Sequence, residues 1–487
     1  MATRDPHVGS QLNLLSEDDV ERIHESALRL LKDVGIKVEH PDLLARFRAA
    51  GANVDAGSAI VRFPRALIEE SLAVVPERVD LYGRDEAHDM ALVDAHVYLG
   101  TGGAAVRILD LDTGEVRRTT LEDLAQLARL VEQLEHVHFF HRPVVATDLP
   151  AEILDVNKYY AALRHTRKHI MGSAYTVDGA REVIELGTMM AGSEAALIDR
   201  PFISFVNSWM ISPLKVDSET AQVLVEIAER GLPVALSSAP IAGSTAPATI
   251  AGIVTQVHAE QLSGIALTQA IREGTPVLYG PVPAAANMRT MAYAGGAIET
   301  GLMNAAAVQV ARSLELPTYT DAGLTDSKLP DIQAGYEKMG NVLLVALAGG
   351  NYIHHAAGML EAMSTVAYEQ YVIDDDIIGA ALRVLRGIEV NDETLATDVV
   401  EAVGPGGNFL TQAHTVQSAR SDEYTQPRVS DRQGREQWTE AGALDARERA
   451  KARAREILAK PAEPCISDDV DLVIRERFDI RLSADTA

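Results

Sequence analysis

Between residues 96 and 370, short apolar runs alternate with longer segments in which apolar residues recur every three or four positions. The longer pattern is typical of amphipathic helices, as over 121–134, where Thr120 and Asp123 form an opening capping box. The short runs predict strands, because they are rich in β-branched and aromatic residues and too brief for helices. These predicted strands lie at 96–99, 137–145, 168–174, 202–208, 233–239, 276–280, 317–320 and 352–356. Eight strands joined by helices predict an α/β fold, a (β/α)8 TIM barrel rather than an open doubly wound sheet.

The chain on either side of this region has a different pattern. Residues 1–95 predict an N-terminal helical cap, in which Ser16 and Asp19 form a capping-box signature and further helices begin near Pro41 and Pro64. Residues 371–487 predict a mostly helical C-terminal extension with a charged helix at about 445–458. We therefore expect three domains, 1–95, 96–370 and 371–487, with the barrel in the middle. The extension also favours a homo-oligomer.

Composition narrows the range of functions. The 487 residues carry a net charge of −26, which argues against nucleic acid and against an anionic membrane as partners. The single cysteine, Cys465, excludes an internal disulfide and a four-cysteine zinc site. The N-terminus has no apolar signal segment, and no run is apolar enough over sufficient length to span a bilayer. We expect a soluble, cytoplasmic protein.

The densest group of polar residues follows the predicted strand at 317–320. Asp321, Asp326 and Lys328 lie in this loop, and loops after the strands of a (β/α)8 barrel face its central pocket. Gly102 and Gly103 belong to a tight turn after the first predicted strand. These two loops are therefore the first places to look for chemistry.

Histidines accompany two predicted strands: His136, His138 and His141 flank one, and His354 and His355 lie on the other. Alternation places His354 and His355 on opposite faces of their strand. We place His355 in the pocket, because small residues follow it and leave space. Metal binding is conceivable, but no His-x-x-x-His pair with a third ligand is present, and satisfied core or pocket histidines are the alternative. We expect no tightly bound metal.

Glu260 lies in a helix that otherwise presents small apolar residues, so its carboxylate is either a buried site group or an ordinary surface residue. Aromatic residues on or just after the predicted strands mostly belong in the core. Two or three at strand C-termini could instead cage a quaternary ammonium, because a ring face attracts a cation that cannot hydrogen bond. The aromatic residues concerned are Tyr98, Phe139, Phe140, Tyr175, Phe205, Trp209, Tyr279, Tyr319 and Tyr352.

Several of these segments together resemble the trimethylamine methyltransferase family, specifically its members without pyrrolysine, which are like glycine betaine:corrinoid methyltransferases. The resemblance covers nearly the whole chain, from Leu15 to Phe478. It rests on 100–103, 244–252, 256–264, 321–338, 349–358, Asp431-Arg432 and Trp438. No one of these segments is specific to the family by itself.

The resemblance implies a (β/α)8 barrel that moves a methyl group from an amine to the Co(I) of a corrinoid (cobalamin) carried by a separate partner protein. Trimethylamine-specific members carry pyrrolysine, whereas this chain uses only the twenty ordinary residues. The expected substrate is therefore a quaternary amine, glycine betaine or a related betaine. A quaternary amine leaves as a neutral tertiary amine, so neither a general acid nor zinc is required. The protein has to bind the cation, exclude water and aim one methyl group.

Residue roles in such a site are hypotheses. His355, Asp321 and Glu260 are the expected catalytic residues, with the carboxylates facing the ammonium end or orienting its neighbours. Lys328, His355, Asn207 or backbone amides at a helix N-terminus could bind a betaine carboxylate. The expected substrate-binding residues are Tyr98, Gly102, Gly103, His141, Tyr175, Phe205, Asn207, Tyr279, Tyr319, Asp326, Lys328 and His354.

Two other interpretations stay open. A different barrel enzyme, a lyase or hydrolase, could use Lys328 to form a Schiff base or Asp321 as a base. A non-catalytic protein could instead bind a quaternary amine without turnover.

Overall fold

The computed structural model describes residues 6–483. The strands in that range are β1 (His7–Val8), β2 (Ile36–Lys37), β3 (Asn53–Asp55), β4 (Ile60–Arg62), β5 (Val79–Leu81), β6 (Met90–Leu92), β7 (His96–Leu99), β8 (Arg107–Leu109), β9 (Val116–Arg118), β10 (Phe140–His141), β11 (Ile170–Gly172), β12 (Ile203–Asn207), β13 (Met210–Ile211), β14 (Lys215–Val216), β15 (Val234–Ser238), β16 (Val277–Pro281), β17 (Ala285–Ala286), β18 (Tyr293–Ala294), β19 (Tyr319–Asp321), β20 (Tyr352–His354), β21 (Met359–Leu360) and β22 (Thr365–Ala367).

The helices are α1 (Glu17–Asp33), α2 (Pro41–Ala49), α3 (Arg65–Leu72), α4 (Leu121–Glu132), α5 (Ala151–His165), α6 (Val177–Ala191), α7 (Glu194–Asp199), α8 (Ser218–Arg230), α9 (Ile250–Ile271), α10 (Ile298–Arg312), α11 (Ile332–Ala348), α12 (Tyr368–Leu385), α13 (Asp392–Leu395), α14 (Thr397–Val403), α15 (Ala413–Ser418), α16 (Arg435–Glu440), α17 (Ala446–Leu458) and α18 (Asp468–Arg477). The chain therefore has an α/β fold, which confirms that part of the sequence prediction.

Eight parallel strands form the centre of the fold. One sheet joins β10, β11, β12, β15 and β16 in that order, and a second joins β7, β20 and β19. Parallel bridges from Gly100 to Phe139 and from Tyr279 to Thr318 connect both edges of one sheet to the edges of the other. Each of the eight strands thus has a parallel neighbour on either side, and we call this arrangement the ring. Its strands coincide with the eight segments predicted as strands.

The interior of the ring is packed with side chains. Alternation along each strand turns every second residue inward, and Phe139 stacks on Tyr352 with ring centroids 3.6 Å apart. The β5–β6 hairpin packs against the amino ends of the ring strands, where the Ala91 N–H donates to the Tyr98 hydroxyl at 3.2 Å. Each large apolar side chain buried here contributes roughly 1.5–3 kcal/mol to stability. One end of the ring is therefore plugged, which leaves the carboxyl end for ligands.

The N-terminal region contains the three predicted helices, α1 to α3. The Ser16 side chain accepts a hydrogen bond from the Asp19 N–H, as the capping signature indicated. The region also contains β2 to β6, which pair mainly antiparallel. It is therefore mixed α/β and not wholly helical, because these strands of two or three residues are too short to produce a readable alternation.

The outer layer consists of helices from the whole chain. α9 is buried along most of its length, because it packs against α1, α3 and α10 on one side and the ring on the other. α17 packs against α12 and α4, and α18 against α6. Much of the C-terminal extension thus covers helices of the same chain. Among the described helices, none combines the length and the apolar character that crossing a lipid bilayer requires.

Candidate active site

The carboxyl ends of β7, β10, β19 and β20 bring together Asp321, three histidines and two glycines. Asp321 pairs in register with His354 on the neighbouring strand, so both side chains point to the same face. His141 comes from β10, and His355 directly follows β20. Asp321 and all three histidines, His141, His354 and His355, are buried. This is the only place in residues 6–483 where a carboxylate and two histidines lie close enough to share a metal ion.

His355 hydrogen bonds to Asp321, with Nδ1 and Oδ1 2.8 Å apart. Its φ of +64° lies in the left-handed region, which is unusual for a residue other than glycine. The turn breaks the strand alternation, and the rings of His354 and His355 come within 4.0 Å, centroid to centroid. The expectation that these two histidines occupy opposite faces is therefore wrong. The positive φ that overturns it has no signature in the local sequence.

Gly102 and Gly103 allow the β7 loop to approach the two histidines. A Cβ at Gly102 would lie 2.7 Å from the His355 backbone nitrogen, closer than real side chains allow. Gly103 has φ of +106°, and a Cβ there would lie 2.7 Å from Met359 and 3.3 Å from the His355 Nε2. The close approach and the backbone conformation both require glycine at these positions.

Aromatic rings line the inner side of this cluster. His354 stacks on Tyr319 with centroids 4.1 Å apart and planes 14° apart, and His141 lies 5.6 Å from His354. Burial lowers the pKa of both His354 and His141 well below the usual range for histidine, and neighbouring positive groups lower it further. Both imidazoles are therefore neutral near pH 7. Neither ring nitrogen of His354 has a hydrogen-bond partner in the part of the chain that the structure describes.

The same cluster offers a donor set for a metal. One ligand atom each from Asp321, His354 and His355 can be chosen so that all lie within 4.8 Å of one another. Two imidazoles and a carboxylate suit zinc or iron(II). Asp321 Oδ1 already accepts the His355 hydrogen bond, however, which fits an orienting role for the carboxylate at least as well.

Three predicted site residues lie on the outer face of the ring. Phe205 packs against Tyr159 of α5, the Asn207 side chain donates to the Thr220 carbonyl of α8, and the Tyr279 hydroxyl hydrogen bonds to His258 of α9. Side chains along a strand alternate between its two faces, and these three occupy positions that point outward. Phe205, Asn207 and Tyr279 therefore do not reach the cluster, and we correct their assignment.

Glu260 and Tyr98 are also remote from the cluster. Glu260 is fully buried in α9 and accepts hydrogen bonds from Ser212 Oγ, the Leu214 N–H and Gln256 Nε2, so it anchors the β13–β14 turn. Burial raises the pKa of its carboxyl, and these hydrogen bonds offset part of that shift. Tyr98 lies at the amino end of the ring, where it lines a cavity of about 400 Å³ together with His138. Glu260, expected to be catalytic, and Tyr98, expected to bind substrate, therefore have structural roles instead.

Tyr175, Asp326 and Lys328 lie around the rim of the carboxyl end. Tyr175 is about half exposed, and its ring face is occupied by the Lys158 ammonium, 4.4 Å from the ring centroid. Lys328 is exposed and donates to the Asp326 carbonyl at 2.8 Å. Partial burial raises the pKa of the Asp326 carboxyl. Within residues 6–483, no hydrogen bond, ion pair or ring contact joins these three residues to the cluster.

Sequence reasoning missed a charged group beside the cluster. Arg142 directly follows His141, and its guanidinium donates to Ser173 Oγ at 3.1 Å. Asp155 and Lys158 pair on the buried face of α5 nearby, and burial together with the Arg142 charge lowers the pKa of Lys158 to about 7. The position of Arg142 at a strand C-terminus was a usable signal, whereas Asp155 and Lys158 had the spacing of an ordinary surface ion pair.

A second buried ion pair braces the loops that carry the cluster. Lys338 of α11 lies 3.1 Å from Asp374 of α12, and both side chains are fully buried. Lys338 also donates to the carbonyls of Gly323 and Met359, and Asp374 accepts from the Gly358 N–H. The loops after β19 and β20 are thereby tied to two helices, which fixes the positions of Asp321 and His355.

Comparison with known proteins gives one consistent family. Residues 4–483 match the profile described as Trimethylamine methyltransferase (MTTB). Glycine betaine methyltransferase of Desulfitobacterium hafniense (strain Y51) is 34% identical over 461 residues, 94% of this chain and 95% of that protein. Trimethylamine methyltransferase MttB of D. hafniense (strain DSM 10664 / DCB-2) is 34% identical over 443 residues, 91% and 88% of the two chains. Among solved structures, Methanosarcina barkeri monomethylamine methyltransferase (MtmB) shares the fold, with a TM-score of 0.52 at 13% identity, covering 91% of this chain and 94% of that one.

Proposed function

The chain belongs to the trimethylamine methyltransferase family, and from this premise we propose that it transfers a methyl group from a quaternary amine, glycine betaine or a related betaine, to a corrinoid. Two observations favour a quaternary over a tertiary amine. The relative described above as a glycine betaine methyltransferase aligns over nearly the whole chain, and the sequence has no pyrrolysine. The Schiff-base alternative is disfavoured, because Lys328 is exposed, donates to the Asp326 carbonyl and lies outside the cluster.

The observation that carries the proposal is the buried wall of Tyr319, His354 and His141 with Asp321 at its edge. Uncharged aromatic faces attract a quaternary ammonium, which cannot donate a hydrogen bond, and a nearby carboxylate adds electrostatic attraction. The chain's overall negative charge favours the approach of a cation. A site of this composition binds the ammonium end of a betaine and excludes water from it.

Methyl transfer from a quaternary amine places modest demands on the protein. The leaving group is a neutral tertiary amine, so no proton has to be delivered to it. Asp321 positions the cation, and His355 holds the Asp321 carboxylate in place through their 2.8 Å hydrogen bond. Catalysis then comes mainly from orientation, because a reactant held in line avoids most of the entropy cost of the encounter.

The corrinoid, carried by a partner protein or supplied as free cobalamin, provides the Co(I) nucleophile when it is bound at the carboxyl end of the ring. The loops at that end also expose apolar side chains on which a partner protein could dock. Large apolar side chains stand exposed on the loops after β16 and β19 and at the start of α11, namely Met288, Met291, Leu329, Ile332 and Tyr336. Exposed apolar groups clustered beside a site are typical of a docking surface.

The architecture and the cellular setting of the enzyme follow from the same observations. We infer that the ring is a (β/α)8 barrel, supported by its eight parallel strands with intervening helices, and that the domains are 1–95, 96–370 and 371–487. The active site would then occupy the carboxyl end, as in barrel enzymes generally. We also propose that the enzyme is cytoplasmic, that it acts with a corrinoid protein and that it forms a homo-oligomer.

A panel assay tests the function. The purified protein is mixed with cobalamin reduced to Co(I) and with glycine betaine, carnitine, choline or trimethylamine, and methylcobalamin is followed by absorbance. We expect methylcobalamin and a dimethylated product with a betaine, and no reaction with trimethylamine. Substrate retention without turnover, with the cognate corrinoid protein also supplied, would instead support a binding protein.

A further inference from the structure

Arg142 presents a buried guanidinium beside the ammonium site. The side chain is 6% exposed, and it extends from the carboxyl end of β10 toward the loop after β11. Nη2 donates to Ser173 Oγ at 3.1 Å, and Nη1 lies 3.4 Å from the Tyr175 hydroxyl. Nε has no hydrogen-bond partner among residues 6–483. The guanidinium is thus held by two neutral hydroxyls and keeps unused donor capacity.

No carboxylate of the described chain neutralises Arg142. Asp155 has other partners, because its Oδ1 pairs with Lys158 and its Oδ2 accepts the Tyr175 N–H. The Arg142 charge instead acts on its neighbours, since it contributes to lowering the pKa of both Lys158 and His141. A buried cation without a counter-ion is costly to maintain. Such a group is typical of a site whose anion arrives with the ligand.

The other candidates for binding an acid group are placed less favourably. Asn207 faces α8, and Lys328 is exposed and bonded to the Asp326 carbonyl. His355 is engaged with Asp321, itself an anion. Arg142, by contrast, adjoins His141 in sequence, and His141 packs at 5.9 Å from Tyr319 in the wall proposed for the ammonium. The wall proposed to bind the ammonium and the guanidinium available to an acid group are therefore neighbours.

We propose that Arg142, with Ser173 and Tyr175, binds the carboxylate of the substrate. The enzyme then selects betaines, quaternary amines with an acid group, over quaternary amines without one. This inference rests on the proposed function and adds the residue that sets substrate class. A carboxylate bound here lies against a planar guanidinium and two hydroxyls, which match its acceptor geometry. A neutral tail would leave the buried Arg142 charge unpaired, and sites built for hydrogen bonding reject such analogues strongly.

Binding of 3,3-dimethylbutanoate tests the inference without methyl transfer. This compound has the shape and carboxylate of glycine betaine but carries no positive charge. Isothermal titration calorimetry should show binding to the wild type and about a 30-fold or greater loss of affinity in Arg142→Gln, as expected for a charged hydrogen-bonded pair. Arg142→Lys, which keeps the charge but not the planar fork, should lose less. Arg84→Gln, which removes a partly buried guanidinium bonded to the Leu163 carbonyl at the opposite end of the ring, should bind like the wild type.

Methyl-transfer assays with paired substrates complete the test. In Arg142→Gln, kcat/KM for glycine betaine should fall by about 30-fold or more, while kcat/KM for choline should rise, because its neutral tail no longer faces an unpaired charge. Wild-type affinity for 3,3-dimethylbutanoate in both Arg142 variants would overturn the inference, as would absence of binding to the wild type. Arg142-dependent binding with no methyl transfer from any quaternary amine would overturn the proposed function and leave the carboxylate site standing.

Discussion

Asp321 and His355 lie 34 residues apart in the chain, yet Asp321 Oδ1 and His355 Nδ1 are 2.8 Å apart. The pair forms because β19 and β20 are parallel neighbours and because His355 turns back with a positive φ. The Lys338–Asp374 ion pair fixes the loops behind it. A carboxylate held this way keeps one orientation toward a bound cation.

Replacing His355 with Ala should lower kcat for methyl transfer by about 100-fold, because Asp321 loses its orienting partner and misplacement of this kind is costly. KM should change much less. His355→Asn, which can still donate to Asp321, should recover part of kcat. Steady-state kinetics with glycine betaine measure both parameters, and circular dichroism checks that the fold is retained. An unchanged kcat would remove His355 from the site.

Gly102→Ala should abolish most of the activity and destabilise the protein. The new Cβ would lie 2.7 Å from the His355 nitrogen, so the β7 loop or His355 must shift. Gly335→Ala is the matched control, since it meets no atom within 4 Å and lies in α11. The control should stabilise by about 0.5–1 kcal/mol, as expected for alanine over glycine in a helix. Equal activity of the two variants would contradict the packing described here.

Tyr319→Leu should impair substrate binding, whereas Tyr98→Leu should impair only stability. Tyr319 stacks on His354 at the carboxyl end, so its loss should raise KM for glycine betaine by about tenfold through the missing cation–π contact. Tyr98 contacts the β5–β6 hairpin at the amino end, so its loss should leave KM unchanged and cost about 1–2 kcal/mol of stability. Kinetics and thermal unfolding distinguish the two. A raised KM in Tyr98→Leu would return that residue to the site.

Stability should fall as the pH is lowered from 6.5 toward 4. Burial lowers the pKa of His258 to about 3 and the pKa values of His165 and His169 to about 4. Between those values and the unfolded pKa of about 6.5, the unfolded chain binds more protons than the folded one, which favours unfolding. The three groups together should cost about 4 kcal/mol at pH 5.5.

Urea unfolding at pH 7.5 and pH 5.5 measures this loss. His165→Gln should reduce the loss by about 1.4 kcal/mol, the contribution of one such histidine at pH 5.5. A free energy of unfolding that is the same at both pH values would show that these histidines titrate normally in the folded protein.

Exhaustive dialysis against a chelator should leave the methyl-transfer rate within about twofold of the untreated enzyme, because a neutral leaving group needs no Lewis acid. The test decides whether activity depends on a metal bound by Asp321, His354 and His355, which form a possible donor set. Elemental analysis before and after dialysis establishes what was removed. Loss of activity that zinc or iron(II) restores would show that this cluster holds a metal.

The ring could be predicted because its signals are local. Each strand is a short apolar run between helices, and the Thr120 capping box marks α4 in the sequence as it does in the structure. The N-terminal strands were missed, since segments as short as β2 carry no periodicity. Predicting elements from sequence therefore succeeded where a segment was long enough to show its period.

The site was predictable only in part. Asp321, Gly102, Gly103, His141, His354 and His355 converge, as their positions at strand ends indicated. Phe205, Asn207 and Tyr279 were chosen by residue type, although inward and outward positions alternate along a strand. Glu260 illustrates a different limit, because its role in holding the turn at Ser212 depends on contacts between segments 48 residues apart. No local pattern encodes such a contact.

The most direct test of the central claim uses glycine betaine with three deuterated N-methyl groups, the enzyme and Co(I) cobalamin or the cognate corrinoid protein. Mass spectrometry then measures deuterated methylcobalamin and dimethylglycine in the same reaction. Our account predicts that the two appear in equal amounts, and that both fall together in His355→Ala. Unaltered glycine betaine, with the corrinoid protein present and still reduced, would contradict it.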